Sequence, residues 1–468
     1  MTLALAFVTT LSVAQTTAAP SERASVRSEA DRRAKAAFKK LHFYTEHAGM
    51  HLTPGIINWA ERALALGQAR KLTDRYGLVA EDSRHVMGLF RVRDEKLKIG
   101  VLGCVACHSS RAAGELVIGL GNKNIDPYQI GKDAYDFQKT YQKLSRPVRS
   151  LFGRSQLERD LEKSALDFAK YLSEERLGNL SQGLVPVSFV RGWFYRVQGK
   201  PVPEMPRGQV KVPSLWGYGE KRLVGQFCDG FGDGTEVGWA VAVELAAGQT
   251  AEVVRGYRSK IEAAEDLFND FLPPRYPFAI RRDLAAEGKA VFSRTCQHCH
   301  GSYETDAEGL PIFARPLFIP IDVVQTDGDR LAGNTPEFYA EIARSPLADL
   351  IRVQPNRNGY FAPRLVGIWS RFPYLHNGSV PTVRDLLRPP SERPKTFSLQ
   401  DAGEKHRFDP ENLGLTALAH ADPGASKVRG IRNIYDTRRI GHSSQGHAFY
   451  TNFSDQEARA VIEYLKTL

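Results

Sequence analysis

The sequence contains two Cys-x-x-Cys-His pentapeptides, at residues 104–108 and 296–300, which take up four of its five cysteines. Two thiols three residues apart on one helical turn can meet the two vinyl groups of a porphyrin, and the adjacent histidine then lies beneath the iron. A zinc half-site would need a second matching pair nearby, and a thiol–disulfide pair has no use for the fixed histidine. The sequence therefore predicts two covalently bound c-type haems, with thioether bonds to Cys104, Cys107, Cys296 and Cys299 and with proximal ligands His108 and His300.

The first residues have the pattern of a secretion signal. An apolar, uncharged run at residues 3–8 is followed by Ser12-Val13-Ala14, small residues that suit a cleavage site. A disordered tail is the alternative interpretation. We expect residues 1–14 to be a signal peptide and residues 15–40 to be a charged tail or helix. The mature protein would then be periplasmic or secreted, which agrees with haem attachment outside the cytoplasm.

The charge balance indicates little about partners. A net charge of +10 arises from 63 Lys and Arg scattered among 53 Asp and Glu, and no nucleic-acid-binding motif accompanies it. Haem propionates would offset part of this charge. We therefore expect no nucleic acid, no membrane span, and either a small redox protein such as a cytochrome or cupredoxin or a small-molecule substrate as the partner.

The chain is long enough for several domains. We expect an N-terminal cytochrome c-like haem domain over residues 41–195, an irregular Gly- and aromatic-rich insert and linker covering haem 1 over 196–279, and a C-terminal cytochrome c-like haem domain over 280–468. Capping boxes at residues 155–158 and 454–457 predict two helices, and Asp283 is the expected N-cap of a helix leading into Cys296. The predicted fold class is mostly α.

The positions of methionine restrict the second ligand of haem 2. The four methionines are at residues 1, 50, 87 and 205, so none follows the second motif. The sixth ligand of haem 2, if it comes from the same domain, is therefore an imidazole, and a bis-histidine haem usually has a low potential. The available histidines are His376, His406, His420, His442 and His447.

Haem 1 has fewer candidate ligands. No histidine lies between His108 and Cys296, and Met205 is the one methionine there. We expect an open or weakly blocked iron, with ligation by the upstream residues His42, His47, His51, His85 or Met87 as the alternative. Trp216, Phe227, Phe231 and Trp239 could form its distal wall or could be ordinary core. Asp229, Asp233 and Glu236 are candidate proton donors, and turn or surface roles are their alternative.

Residues 361–387, which contain the run Phe372-Pro373-Tyr374-Leu375-His376-Asn377-Gly378-Ser379, resemble the signature of the bacterial di-haem cytochrome c peroxidase superfamily. Residues 392–394 with Phe397, residues 446–449 and residues 212–217 resemble more closely its rubber oxygenase branch. The resemblance implies that the N-terminal haem is the substrate site and the C-terminal haem a six-coordinate electron store. It also adds calcium between the haems as a further possible cofactor.

The resemblance assigns roles to three more residues. His376 would lie near the haems without necessarily binding iron, and Trp369 would lie on the electron path or in the core. The peroxidases have an axial methionine fourteen residues after this histidine, where this chain has Pro390. That difference makes His447 the expected distal ligand of haem 2. The chain is also shorter than a rubber oxygenase.

The leading hypothesis is a di-haem oxidoreductase in which haem 1 activates peroxide or dioxygen and haem 2 stores or transfers electrons. The second hypothesis is an oxygenase acting on an apolar substrate at haem 1. The third is an electron-transfer cytochrome with both haems six-coordinate, which is not an enzyme.

Overall fold

The fold was analysed in a computed structural model. It describes residues 20–41, 50–52, 60, 62–93, 98–143, 180–187, 191–192, 194–195, 198, 200–204, 208–218, 228–231, 251–256, 258–305, 311–313, 317–351, 353, 358–416, 433–449 and 452–468. The predicted signal peptide and the helix predicted after residues 155–158 lie outside these ranges. No helix within them is long and apolar enough to cross a bilayer.

The charged segment near the N-terminus forms a helix, α1 (Pro20–Lys40). Its Ala34 and Phe38 are buried, and the Phe38 ring packs edge-on against Phe268 and Phe271, with ring centroids 5.5 Å apart in each pair. The helix is therefore docked by one face onto residues of the expected linker. The next elements are α2 (Ala69–Tyr76) and an antiparallel sheet of β1 (Met50–Leu52), β2 (Leu89–Arg93) and β3 (Lys98–Leu102), with β3 in the centre.

The first motif and the insert contain several short helices and strands. The first motif opens with α3 (Cys104–Cys107) and continues directly into an antiparallel hairpin. Strand β6, near the end of the expected N-terminal haem domain, pairs antiparallel with β7 of the insert. The elements of this region are the hairpin strands β4 (Ser109–Ala112) and β5 (Glu115–Ile118), α4 (Pro127–Gln142), β6 (Leu184–Pro186), β7 (Gln209–Lys211), α5 (Ala251–Gly256) and α6 (Arg258–Asn269).

The C-terminal part contains two longer helices, α7 (Arg282–Thr295) and α13 (Asp455–Leu465), which pack against each other. A Cβ atom on Gly288 would overlap the carbonyl oxygen of Ala460, so glycine permits this close approach. The predicted capping box of Ser454 and Glu457 is confirmed. The predicted N-cap Asp283 is wrong, because Arg281 occupies the N-cap and Asp283 lies in the first turn.

Along the chain, short helices and strands lie between α7 and α13. Strand pairs β8–β9, β10–β11, β12–β15 and β13–β14 are all antiparallel. The elements are α8 (Gln297–His300), β8 (Tyr303–Thr305), β9 (Pro311–Phe313), β10 (Phe318–Pro320), α9 (Ile321–Val324), α10 (Asp329–Ala332), α11 (Pro336–Arg344), β11 (Gly359–Phe361), α12 (Val383–Leu386), β12 (Thr396–Ser398), β13 (Phe408–Asp409), β14 (Gly414–Leu415), β15 (Ile434–Asp436) and three 3-10 helices (Ile368–Ser370, Pro390–Glu392 and Lys405–Arg407).

The expected fold class, mostly α with two cytochrome c-like domains, is wrong. In the well-defined part of the chain 42% of residues are helical and 13% are in strands, with several small sheets between the helices. The main hydrophobic cluster also runs through both expected haem domains, since it includes Phe38, Val105, Trp216, Tyr374 and Leu468. The physical reason is that many elements are only two to five residues long, and they bury apolar side chains by packing together rather than as separate helical cores.

Candidate haem sites

The two Cys-x-x-Cys-His motifs have the same local geometry. In each, a four-residue helix contains the second cysteine, and the backbone N–H of the histidine donates to the carbonyl of the first cysteine. This distance is 3.0 Å from His108 to Cys104 and 3.0 Å from His300 to Cys296. None of the four motif cysteines is part of a disulfide within the described residues. The motif thus holds two thiols and one imidazole on a single helical turn, the arrangement that porphyrin attachment needs.

Each motif histidine is oriented by a proline carbonyl. His108 Nδ1 lies 3.1 Å from the Pro213 oxygen, and His300 Nδ1 lies 3.0 Å from the Pro363 oxygen. Because a carbonyl can only accept, Nδ1 carries the proton and Nε2 keeps its lone pair for a metal. Burial, the largest effect, lowers the pKa of His300, which keeps the ring neutral. Both imidazoles are therefore ready to bind iron.

The two prolines belong to a local repeat that the sequence analysis did not detect. Residues 212–217 and 362–367 both read x-Pro-x-Leu-x-Gly, and each follows a short strand, β7 or β11. The final glycines, Gly217 and Gly367, have φ angles of +70° and +68°, a left-handed conformation that favours glycine. The signal was present in the sequence as two similar hexapeptides at unequal distances from their motifs.

Trp216 joins the two repeats. Its indole is 2% exposed, and Nε1 donates to the Val366 carbonyl at 3.0 Å. Trp216 thus lies three residues after Pro213, beside the segment that supports His108, and contacts the equivalent segment that supports His300. That Trp216 forms part of the distal wall of haem 1 stays a prediction.

The imidazole rings of His300 and His447 lie close together. Their ring centroids are 6.1 Å apart and their planes are tilted by 49°. A metal–imidazole bond of about 2 Å on each side, plus about 1 Å from each nitrogen to its ring centre, would place two such centroids about 6 Å apart. Burial, aided by the nearby His300 and Arg393, lowers the pKa of His447 to about 3, so this imidazole is neutral at ordinary pH. The pair therefore fits an iron held between two imidazoles.

Arg393 fastens the loop that carries His447. The Arg393 side chain is 2% exposed, and its Nη1 donates to the carbonyls of Ser444 at 2.6 Å and Gly446 at 2.8 Å. Its Nη2 donates to the carbonyls of Leu386 and His447, both at 3.2 Å. In the sequence Arg393 is part of a segment that carries a family resemblance, and nothing in that segment indicates this hydrogen-bonding role.

The backbone around His447 is tightly constrained. Gly446 and His447 both have positive φ, at +74° and +50°, and the His447 N–H donates to Val324 O at 2.7 Å. A Cβ atom on Gly446 would overlap the backbone of Gln325 and Thr326. A non-glycine residue such as His447 adopts this conformation only when its surroundings compensate for the cost. The imidazole direction is thus determined by contacts with α9 and Arg393.

His376 lies in a buried stack beside the insert strand. Its ring stacks on Tyr360 with centroids 4.4 Å apart, the Tyr360 hydroxyl donates to the Asp327 carbonyl at 2.7 Å, and the His376 carbonyl accepts from the Lys211 N–H at 2.8 Å. Burial, aided by Arg330, lowers the pKa of His376 to about 3. His376 is therefore a neutral imidazole, and its predicted role near the haems stays a prediction.

Trp369 lies in the core between the linker and β13. It is 1% exposed, its Nε1 donates to the Pro274 carbonyl at 2.8 Å, and its ring packs edge-on against Tyr276 and Phe408 at 5.6 and 5.7 Å. These contacts account for its burial by packing. The position on an electron path stays a prediction.

Phe231 and Asp229 lie against α10 and α11. The Phe231 ring stacks on Phe338 at 6.0 Å, and the Asp229 carboxylate pairs with Arg330 at 2.9 Å and accepts from Asn334 at 3.3 Å. Burial alone would raise the pKa of Asp229, but the charge of Arg330 more than offsets it and the net shift is downward. Asp229 is therefore a carboxylate in a buried ion pair. The related candidates Phe227, Asp233, Glu236 and Trp239 lie outside the described residues.

The structure describes the side chains of two of the upstream ligand candidates for haem 1, His85 and Met87. His85 is exposed and its Nδ1 lies 2.8 Å from Asp82 Oδ2, while Met87 is 3% exposed within the main core. His42, His47 and the side chain of His51 lie outside the described part of the chain. Among the residues described, no cluster of three or more His, Cys, Asp or Glu could hold a metal ion. The possible calcium stays a prediction.

Residues 359–398, which include Pro363, His376 and Arg393, match the family model "RoxA-like, cytochrome c-like". The match supports a c-type cytochrome that binds haem and transfers electrons. It also supports the resemblance to the rubber oxygenase branch. That the chain belongs to the wider di-haem cytochrome c peroxidase superfamily stays a prediction.

Two relatives come from Sinorhizobium fredii (strain NBRC 101917 / NGR234). "Uncharacterized protein y4iJ" is 29% identical over 279 residues, covering 46% of this chain and 45% of the relative. "Uncharacterized protein y4iM" is 29% identical over 265 residues, covering 50% of this chain and 56% of the relative. The chain thus spans about half the length of the curated relatives it matches.

Proposed function

We propose that this chain is an exported di-haem c-type cytochrome oxidoreductase, in which haem 1 activates peroxide or dioxygen and haem 2 stores and transfers electrons. The observation that carries the proposal is the pairing of His300 with His447. His300 has a second imidazole, His447, at the separation that an iron between them requires. His108 has the same proline support. Of the upstream candidates, His85 is paired with Asp82, and Met87 is buried in the hydrophobic cluster that also contains Val105 of the first motif.

The residues perform three tasks. The four motif cysteines supply the thiols for covalent attachment. The carbonyls of Pro213 and Pro363 hold His108 and His300 in the tautomer whose Nε2 keeps its lone pair for iron. Arg393 holds the His447 loop. Haem, when bound, supplies iron that changes oxidation state and, where its sixth position is open, binds oxygen or peroxide. A low-potential bis-histidine haem suits electron storage.

A second candidate is an oxygenase acting on an apolar substrate at haem 1. The match of residues 359–398 to the RoxA-like family favours it. Both candidates need an open haem 1. They differ in the reaction, because an oxygenase consumes dioxygen with an organic substrate, whereas a peroxidase consumes peroxide with a reduced redox partner.

The first test is a cyanide or carbon monoxide titration of the purified holoprotein, followed by optical and EPR spectra. We expect one haem of the two to bind the ligand and the other to stay low-spin. Turnover with hydrogen peroxide, compared with oxygen uptake in the presence of an apolar substrate, then separates the two enzymatic candidates. If neither haem binds a ligand in the oxidised or half-reduced protein, the chain is an electron-transfer cytochrome instead.

A further inference from the structure

A small cavity of about 50 Å³ lies between the first motif, the insert and the C-terminal part. It is bordered by residues 120–123, by the segment around Pro213 that supports His108, and by residues 371–373. One water molecule needs about 10–15 Å³ of such volume, so the cavity has room for a few waters or for one small polar group.

Three cationic side chains line this cavity: Lys123, Lys211 and Arg371. Among the described residues that line it, none is acidic. Lys123 is 6% exposed, its Nζ donates to the Arg111 carbonyl at 3.1 Å, and the same atom lies 4.6 Å from the centre of the Phe372 ring. Lys123 thus has neutral acceptors around it.

Lys211 is held in the same way. Its Nζ donates to the Arg371 carbonyl at 2.6 Å and to the Pro373 carbonyl at 2.5 Å. Burial, followed by the charges of Arg371 and Lys123, lowers the pKa of Lys211 well below its usual range. Burial lowers the pKa of Lys123 to about 7.

Like charges gathered in a low-dielectric interior repel each other, and carbonyl dipoles compensate only part of the cost. A buried anion next to the three basic side chains would offset most of this unfavourable repulsion. From the cavity, the three basic residues that line it and the lack of acidic residues among its described lining, we infer that Lys123, Lys211 and Arg371 form a binding site for a small anionic group. Its source is the carboxylate of a haem propionate, which rests on the proposed function, or a free monovalent anion.

The test uses Lys211→Gln in the holoprotein, because an amide can still donate to the Arg371 and Pro373 carbonyls while the charge is lost. Lys123→Met is the independent second variant, and Lys71→Met on the exposed face of α2 is the matched control. Redox titrations of both haems and thermal unfolding are measured with and without sodium chloride at constant ionic strength. Haem content is measured on every sample.

If the group is a propionate, each cavity variant makes reduction of one haem about tenfold less favourable, a shift of 59 mV for one electron. The control does not shift, and chloride has no effect. If the group is a free anion, chloride stabilises the unmutated protein, and the cavity variants lose that response. Potentials and unfolding that match the control, with no chloride effect, would overturn the inference. Two haems per chain in those samples would leave the proposed function standing.

Discussion

The imidazoles of His300 and His447 lie 6.1 Å apart, centroid to centroid, although the second motif and the His447 loop are distant in sequence. One ring is fixed by the Pro363 carbonyl, and the other by a loop with positive φ angles fastened through Arg393. The two histidines are therefore held by separate contacts, His300 by the Pro363 carbonyl and His447 by its loop and Arg393. This pairing places two imidazoles at the separation that one iron between them would require.

Replacing His447 by glycine should remove the second imidazole of haem 2. We expect the low-spin ferric EPR signal of one haem to be replaced by a high-spin signal and the potential of that haem to rise, because imidazole stabilises ferric iron. His406→Gly, at an exposed position, is the control and should leave both signals unchanged. A low-spin signal that survives His447→Gly but is lost in His376→Gly would contradict the assignment.

Replacing Arg393 by leucine should loosen the His447 loop without touching iron. Four backbone carbonyls lose their donor, and the cost should be about 3 kcal/mol or more of unfolding free energy. We also expect a fraction of haem 2 to become high-spin and accessible to cyanide. Arg388→Leu, which removes a more exposed ion pair, should cost less than about 1 kcal/mol.

A purely structural role for Arg393 would give a different result. In that case Arg393→Leu would lower stability while the EPR signal and the cyanide affinity of haem 2 stayed as in the unmutated protein. The spectroscopic measurements therefore decide whether Arg393 positions His447.

The double variant Cys104→Ala/Cys107→Ala should lose one covalent haem of the two. Each motif holds both of its thiols on one helical turn, so the remaining motif should still attach its haem. The pyridine haemochrome assay should give one haem per chain, against two in the unmutated protein. A ratio near one in the unmutated protein would show that only one motif is used.

Acid should destabilise the protein through buried neutral histidines. His442 is 1% exposed, its Nδ1 lies 3.0 Å from the Ile440 carbonyl, and its Nε2 has no partner among the described residues. Burial, the largest effect, lowers the pKa of His442 to about 4. The usual histidine pKa is about 6.5, so between about pH 6.5 and 4 the unfolded chain binds more protons, and stability falls as the pH falls.

Substitution of His442 by leucine should reduce this pH dependence. The slope of unfolding free energy against pH between 6.5 and 4 should decrease by up to about 1.4 kcal/mol per pH unit, the value for one proton. Urea unfolding at several pH values measures it. The exposed His406→Leu variant should leave the slope unchanged, and an equal slope in His442→Leu would show that His442 is not the group responsible.

One local sequence signal predicted local structure correctly, at Ser454, whereas the N-cap predicted at Asp283 lies at Arg281. The capping box at Ser454 forms as expected because its hydrogen bonds join residues three apart. The mostly α fold was wrong because strands such as β13, with two residues, and β6, with three, are too short to show an alternating pattern. Their pairing depends on partners elsewhere in the chain.

The sequence by itself determined the chemistry of each motif, because two thiols and a histidine within five residues share one helical turn whatever surrounds them. Only the tertiary structure decided which carbonyls orient His108 and His300, how the His447 loop is held, and that Lys123 and Lys211 line one cavity. Those arrangements depend on side chains and carbonyls brought together from distant segments. Their positions follow from packing of the whole core, which no local spacing encodes.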